Sequence, residues 1–434
     1  MTLVNFAIEA PPKVTLQDWL GNRRPSHLST NTGSELVAFQ SWRKFKEAFA
    51  PELIAQAFEE TEAALGRPVL ATIDPFGGSG TTALSSQFLA ARPCTVEVNP
   101  YLADLIEAKL ASYDASALLA DLEAVIEAYK PFRGDTPFPG APSTFVEPGI
   151  NKRYIFNREV ANTIAGLREA ILAITNVENR RLLRVVLASI CVPVSNVVVS
   201  GKGRRYRRNW SSRKIKESDV TSMFYSAGEQ AVDDVLRYRN RLCLDYDLIR
   251  GDARENIPED RQFDVAIFSP PYPNSFDYTD VYNVELWAVG YLAGASDNRA
   301  LRLKTLRSHV QIKRPFDASD LKSNTLKSVY NDLDIVRSEL WNQSIPDMVV
   351  AYFDDMHKIM TCLFKTLVKN GRVYAVVGDS RYNGVYVPVA KILTELAIVM
   401  GFSKISEEPF RSMRASPQQG GKKELKETLL VFSK

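Results

Sequence analysis

The spacing of apolar residues changes several times along the chain, and each change marks an element. Residues 35–65 (ELVAFQSWRKFKEAFAPELIAQAFEETEAAL) carry them at helical intervals, with Pro51 suited to be the first residue of a second helix. Residues 69–73 are a short, partly β-branched run that reads as a buried strand. It ends in Asp74-Pro75-Phe76-Gly77-Gly78-Ser79-Gly80-Thr81-Thr82-Ala83, followed by a helical stretch to Ala91. A second strand, 94–98, closes on Glu97, and Asn99-Pro100 starts a helix through Leu110. Two βα units in succession predict an α/β fold with a parallel sheet. Downstream, 159–195 reads as helices, and 242–249 as a strand ending in Arg250-Gly251-Asp252-Ala253. Residues 263–268 read as a buried strand running into Ser269-Pro270-Pro271-Tyr272.

Composition narrows the class. With 434 residues, 45% hydrophobic and 24% charged, the chain is globular and too long for one small core, so one large or two modest domains are expected. Disorder, collagen and coiled coil are excluded. There is no apolar stretch long enough to span a membrane, and MTLVNFAIEAPPK lacks the charged and apolar regions of a secretory signal, so a cytoplasmic location is expected. Cys94, Cys191, Cys243 and Cys362 lie far apart, and the three histidines are His27, His309 and His357. No disulfide framework or metal site is readable from them, and His309 and His357 read as isolated surface or helix residues.

The net charge of +3 is unevenly spread. Residues 202–216 (KGRRYRRNWSSRKIK) hold eight Lys or Arg and no acid, leaving the rest of the chain net acidic. Such a run suits a phosphate backbone, which nominates Lys202, Arg204, Arg205, Arg207, Arg208, Arg213 and Lys214 as nucleic-acid contacts, with Tyr206 and Trp210 to pack or stack among them. A solvated loop without a partner has the same composition. A second basic stretch, with Arg299, Arg302, Lys304, Arg307, Lys313 and Arg314, favours the nucleic-acid reading.

Two turns carry chemistry. Glycines at 77, 78 and 80 let a ligand approach the main chain, and the helix that follows presents unpaired N–H groups. Glu97, at the tip of the next strand, suits the hydroxyls of a ribose. Gly78-x-Gly80-x-x-Ala83 also meets the loose dinucleotide fingerprint, so at this point NAD stays open, as does a glycine turn with no ligand. In Ser269-Pro270-Pro271-Tyr272 the prolines fix the Pro270 carbonyl, the Ser269 hydroxyl and the Tyr272 ring relative to one another. Rigid acceptors beside an aromatic face suit a planar amine, although Pro-Pro can also simply end a strand.

Together these residues resemble the amino-methylating DNA methyltransferases, which use S-adenosyl-L-methionine and modify N4 of cytosine or N6 of adenine. Residues 74–82 are similar to that family's D-P-F-x-G-S-G-T-T cofactor loop, Glu97-Val98-Asn99-Pro100 to the end of its second strand, and Ser269-Pro270-Pro271-Tyr272 to its catalytic motif. Ala48-Phe49-Ala50-Pro51-Glu52-Leu53 is similar to the segment that wraps the methionine, with Ala48 where a lysine is usual. The resemblance implies a Rossmann-like class I fold with a mostly parallel seven-stranded sheet, in which 371–380 and 427–433 are later strands, and helical insertions. It implies S-adenosyl-L-methionine held by Phe49, Asp74, Phe76, Gly77, Gly78, Ser79, Gly80, Thr81, Thr82, Glu97, Asn99, Asp252 and Ala253. Asp252 serves equally as a helix N-cap.

The implied layout is 1–111 with the cofactor loop, 112–241 as a largely helical insertion and candidate DNA-recognition region, and 242–434 with the catalytic motif and a smaller insertion at 291–346. Double-stranded DNA is the implied partner, beside a restriction or defence system. Ser269 and the Pro270 carbonyl would accept the amine hydrogens, and a base rotated out of the duplex would stack on Tyr272. The loop 274–278 follows directly; Phe276 and Tyr278 would close over that base or pack against Trp287. Ser269 resembles the cytosine-N4 branch, with adenine-N6 as the second reading. Cytosine C5 chemistry needs a thiolate, and no cysteine is placed for it. RNA or a protein amide as substrate, and a non-catalytic DNA-binding protein, are the remaining alternatives.

Overall fold

The computed structural model describes residues 14–25, 27, 28, 30, 36–43, 48–200, 203–414 and 424–434. In chain order the strands are β1 (Ala71–Asp74), β2 (Arg92–Glu97), the hairpin β3 (Val197–Ser200) and β4 (Gly203–Tyr206), then β5 (Asp247–Arg250), β6 (Phe263–Phe268) and β7 (Leu367–Gly378). The short hairpin β8 (Ser380–Tyr382) and β9 (Val385–Val387) follows, then β10 (Ser403–Arg414) and β11 (Glu424–Ser433). Seven of them form one sheet in the order β10-β11-β7-β6-β1-β2-β5. All neighbours from β5 to β7 are parallel, and β11 runs antiparallel to both β7 and β10. This is the Rossmann-like α/β fold with a mostly parallel seven-stranded sheet that the sequence leads one to expect.

The continuous apolar character of β6 follows from burial on both faces, since alternate side chains of a strand point opposite ways. Val265 and Ile267 meet Leu53, Ile54 and Phe58 of the helix Pro51–Leu65, while Ala266 and Phe268 join Met348, Tyr352 and Phe353 of the helix Ile345–Thr366. Pro51 opens its helix as its fixed φ predicts, and Gly66 closes it in the left-handed conformation.

The insertion supplies the helices Ala115–Ala128, Arg158–Leu172, Val177–Cys191 and Glu217–Arg237. Their buried faces (Leu122, Ile164, Leu183, Phe224) form one apolar cluster with Tyr101 and Leu105 of the helix Pro100–Leu110 and with Trp287 of Asn283–Ala288. The insertion is therefore packed onto the flank of the sheet. Among the described residues no helix is long and apolar enough to cross a membrane.

Two local expectations are corrected. Residues 36–43 form turns instead of a helix: Phe39 takes φ 65°, and its N–H and Trp42 Nε1 both donate to Asp234 Oδ2 at 2.9 Å, so a distant carboxylate overrides the helical spacing. The strand expected at 242–249 begins only at Asp247, where pairing with Cys94 of β2 starts. Gln87 Nε2 holds the Leu244 carbonyl at 2.8 Å in the irregular stretch before it.

Candidate active site

Order along the sheet reverses between β1 and β6, which are hydrogen-bonded neighbours in parallel register (Thr72 with Val265, Ile73 with Ala266). Parallel neighbours deliver their C-terminal turns to the same edge, so the glycine turn after Asp74 and the double-proline turn after Phe268 emerge side by side. They share a cavity of about 520 Å³. Of the residues expected to hold a cofactor, Phe49, Asp74, Phe76, Gly77, Gly78, Ser79, Thr81, Thr82, Glu97, Asn99, Asp252 and Ala253 line it, as do Ser269, Pro270, Pro271 and Tyr272. Gly80 does not. It caps the helix Thr81–Phe88 at φ 78°, where an added Cβ would stand 3.0 Å from Ile106 Cγ1, so its part is to let the turn lie against the helix Pro100–Leu110. At Gly77 an added Cβ would collide with Thr95 Cγ2.

The floor of the cavity carries two buried carboxyls, Asp74 and Glu97. Asp74 Oδ1 accepts from the Phe76 N–H at 2.9 Å, and burial still pushes its carboxyl up to about 7. Glu97 accepts from the Gly78 N–H at 2.7 Å and the Asn99 N–H at 2.7 Å; burial, with a smaller contribution from Asp74, lifts it to about 7 as well. Asn99 caps its own helix through the Tyr101 N–H (3.0 Å). Asp252 Oδ1 accepts from the Arg254 N–H at 3.0 Å, so it is a helix N-cap and part of the cavity wall at once. Beneath the glycine turn, the fully buried Lys109 donates to the Ser79 carbonyl at 2.7 Å and to Gln40 Oε1 at 3.1 Å, and burial lowers its amine to about 7. Its sequence signal was a lysine on the apolar stripe of a helix (Leu102, Leu105, Ile106, Lys109), which motif reading passes over.

At the double-proline turn, Ser269 Oγ donates to the Val376 carbonyl of β7 at 3.0 Å. A hydroxyl has one hydrogen, so this bond leaves its oxygen able to accept. Among the described residues no donor occupies the Pro270 carbonyl. The Tyr272 hydroxyl lies 3.4 Å from Ser269 Oγ and donates to Glu427 Oε1 at 2.9 Å; burial and that carboxylate hold the phenol well above its usual pKa. Tyr382 braces the turn by donating to the Pro273 carbonyl at 2.8 Å. Phe276 and Tyr278 meet edge to face at 4.9 Å and line the cavity, while Trp287 packs on Phe145 instead. None of the four cysteines lines the cavity, and burial in β2 pushes the Cys94 thiol up to about 12.

Two further side chains of the cavity wall lie outside what the sequence motifs point to. His309, expected at the surface or on a helix, is buried in the cavity wall, with Nδ1 3.2 Å from Arg314 Nη2 and Nε2 3.8 Å from Asp277 Oδ1. Burial lowers its pKa to about 4. Arg314 is only five residues along the chain, but Asp277 comes from a distant turn, and no local spacing announces the burial of the ring between them. Glu427 was read only as the start of a strand. The second basic stretch is also largely spent inside: Arg302 pairs with Asp277 (2.6 Å), Arg307 with Asp354 and Asp355 (2.8 and 2.6 Å), and Arg314 donates to the Thr305 and Leu306 carbonyls (2.8 and 2.6 Å).

The first basic stretch divides in two. Arg207 donates to the carbonyls of Ser195 and Val192 (3.1 Å each), and Arg213 to those of Ser195 and Pro193, closing the chain after the helix Val177–Cys191. Arg204 is half-buried, 5.6 Å over the Phe145 ring. Arg205, Arg208 and Lys214 are exposed, and Lys202 lies outside the described residues. Tyr206 and Tyr154 pack on Trp210. The hairpin adjoins the cavity: an added Cβ on Gly203 would lie 3.9 Å from Phe276.

No family model matches the chain. It is 25% identical to the Type II methyltransferase M.BsoBI of Geobacillus stearothermophilus over 92% of this chain and 86% of the relative. It is 27% identical to the Type II methyltransferase M.AvaI, of Nostoc sp. and of Anabaena variabilis, over 95% of this chain and 91% of each relative. Among solved structures, the rRNA methyltransferase aviRa from Streptomyces viridochromogenes superimposes loosely, at 9% identity and a TM-score of 0.29, over 89% of this chain and 85% of its own.

Proposed function

We propose that this chain is a site-specific DNA methyltransferase that transfers a methyl group from S-adenosyl-L-methionine to N4 of cytosine. The observation that carries the reading is the shared cavity of the two sequence-distant turns, set by the parallel pairing of β1 with β6. Similarity to two Type II methyltransferases along nearly the whole chain supports it.

The cavity suits the cofactor. Asp74 and Glu97 are two buried carboxyls with no cationic partner among the described residues, and a ligand bearing sulfonium and ammonium charge would offset their desolvation. The Gly78 and Asn99 N–H groups each hold one Glu97 oxygen, which orients the carboxylate to accept from a ribose hydroxyl. S-adenosyl-L-methionine supplies, when bound, a methyl group activated by a positively charged sulfur.

The remaining chemistry belongs to the protein. Ser269 Oγ and the Pro270 carbonyl accept the two hydrogens of an exocyclic amine, which turns the nitrogen lone pair toward the methyl carbon and stabilises the positive charge that develops on nitrogen. Tyr272 offers a ring face to the base, a contact worth about 1–3 kcal/mol that any base can make. A base inside a duplex cannot reach this cavity, so the target is rotated out of the stack. Double-stranded DNA is the substrate, met by the exposed basic residues of the β3–β4 segment, and the setting is a restriction or defence system. Ser269, in place of an acid or amide, supports cytosine over adenine.

Tritiated methyl transfer to duplex DNA, followed by nucleoside analysis, tests this. N4-methylcytosine is expected, and Ser269→Ala is expected to lower turnover by about 100-fold with cofactor affinity unchanged. N6-methyladenine would replace the target base. Transfer to RNA or protein but not DNA would overturn the substrate, and no transfer at all would overturn the activity.

A further inference from the structure

The parallel strands end at the cavity edge, whereas β11 runs the other way and begins there. Glu427, near that beginning, lies opposite Gly378 at the end of β7 and is 2% exposed in the cavity wall. Both hydroxyls of the catalytic turn are therefore held from this side of the sheet: Ser269 by the Val376 carbonyl of β7, and Tyr272 by the Glu427 carboxylate. A tyrosine hinged only at its Cβ has two free torsions, and a base stacked on it inherits that freedom. A hydroxyl bonded at 2.9 Å to a group fixed in the sheet removes it. An acceptor with formal charge makes a stronger bond than a neutral one, which gives a carboxylate an advantage over an amide at a site where desolvation favours the amide.

We propose that Glu427 is a positioning residue for methyl transfer, fixing the Tyr272 ring through its hydroxyl so that the acceptor base is held in line with the methyl donor. This rests on the function proposed above. Its bond to Tyr272 places the action of Glu427 on the base side of the cavity. The test is steady-state methylation of duplex DNA by the wild type, Glu427→Gln, Glu427→Ala, Tyr272→Phe and the Glu427→Gln/Tyr272→Phe pair, with the cofactor dissociation constant measured by titration calorimetry as the check on folding.

Glu427→Ala is expected to lower kcat by about 100-fold, the scale of an ångström-sized misplacement, and Glu427→Gln to lower it by about tenfold. Cofactor affinity is expected to stay within about twofold of the wild type. Tyr272→Phe, which removes the bond while keeping the ring, is expected to fall between Glu427→Gln, whose amide oxygen still accepts, and Glu427→Ala, and the double variant to be no slower than the slower single. A Glu427→Ala enzyme as fast as wild type, a cofactor affinity that falls in step with kcat, or single effects that multiply in the double variant would each overturn the proposal. If the glutamate variants do not fold, Tyr272→Phe at wild-type speed overturns it alone. A wild type that methylates nothing fails at the earlier reading, and this assignment falls with it.

Discussion

Asp74 and Glu97 are acids that the folded chain prefers to keep protonated: burial lifts them from 3.8 and 4.5 to about 7. Between those limits the folded state holds protons that the unfolded chain has released. The stability this contributes is complete below about pH 4 and is lost as the pH rises through about 7. A cationic cofactor reverses the preference, because it is bound best by the ionised pair. Calorimetry across about pH 5.5 to 8.5 is therefore expected to show affinity for S-adenosyl-L-methionine rising with pH, by up to about tenfold per unit for each carboxyl, and levelling above about 7. The gain in melting temperature on adding cofactor should likewise be larger at about pH 8 than at about pH 6. A flat profile would mean that neither carboxyl faces the cation. The glycine turn that carries Asp74 was legible because its chemistry is local; Lys109 beneath it was not, because its partners, Ser79 and Gln40, are brought to it by the fold.

At the scale of elements, the basic segment shows how charge in a sequence divides into uses. Its arginines have the same composition signal, but Arg207 and Arg213 satisfy carbonyls after the helix Val177–Cys191, whereas Arg205, Arg208 and Lys214 face solvent. Replacing the exposed three with glutamine is expected to weaken DNA binding and to lower the slope of log affinity against log salt by up to about 3, read by fluorescence anisotropy at several salt concentrations. Arg207→Ala should instead cost about 1–3 kcal/mol of stability in denaturant, because buried carbonyls lose their donor. Equal effects of both sets on the salt slope would show that the division is wrong. The stretch from Arg299 to Arg314 carries the same lesson, since Arg302, Arg307 and Arg314 close internal ion pairs and carbonyl bonds that composition cannot distinguish from a phosphate-binding face.

For the molecule as a whole, the insertion and the sheet flank share one apolar cluster, from Phe224 and Leu183 through Leu105 to Trp287. Such a unit should melt in one transition, with far-ultraviolet circular dichroism and tryptophan fluorescence giving coincident curves; two separated transitions would mark the insertion as an independent domain. The α/β alternation, the glycine turn, the stiff Ser-Pro-Pro-Tyr turn and the first residue of the helix at Pro51 are legible along the chain, because each depends on the intrinsic geometry of a few adjacent residues. That the two turns share a cavity, that Phe39 breaks a helical pattern to meet Asp234, and that His309 and Glu427 line the cavity follow only from how distant segments pack. The physical reason is common to all of these: strand order and strand direction are settled by burial of apolar faces across the whole chain. That burial sets Glu427 of an antiparallel strand against Tyr272, across a separation that no local pattern spans.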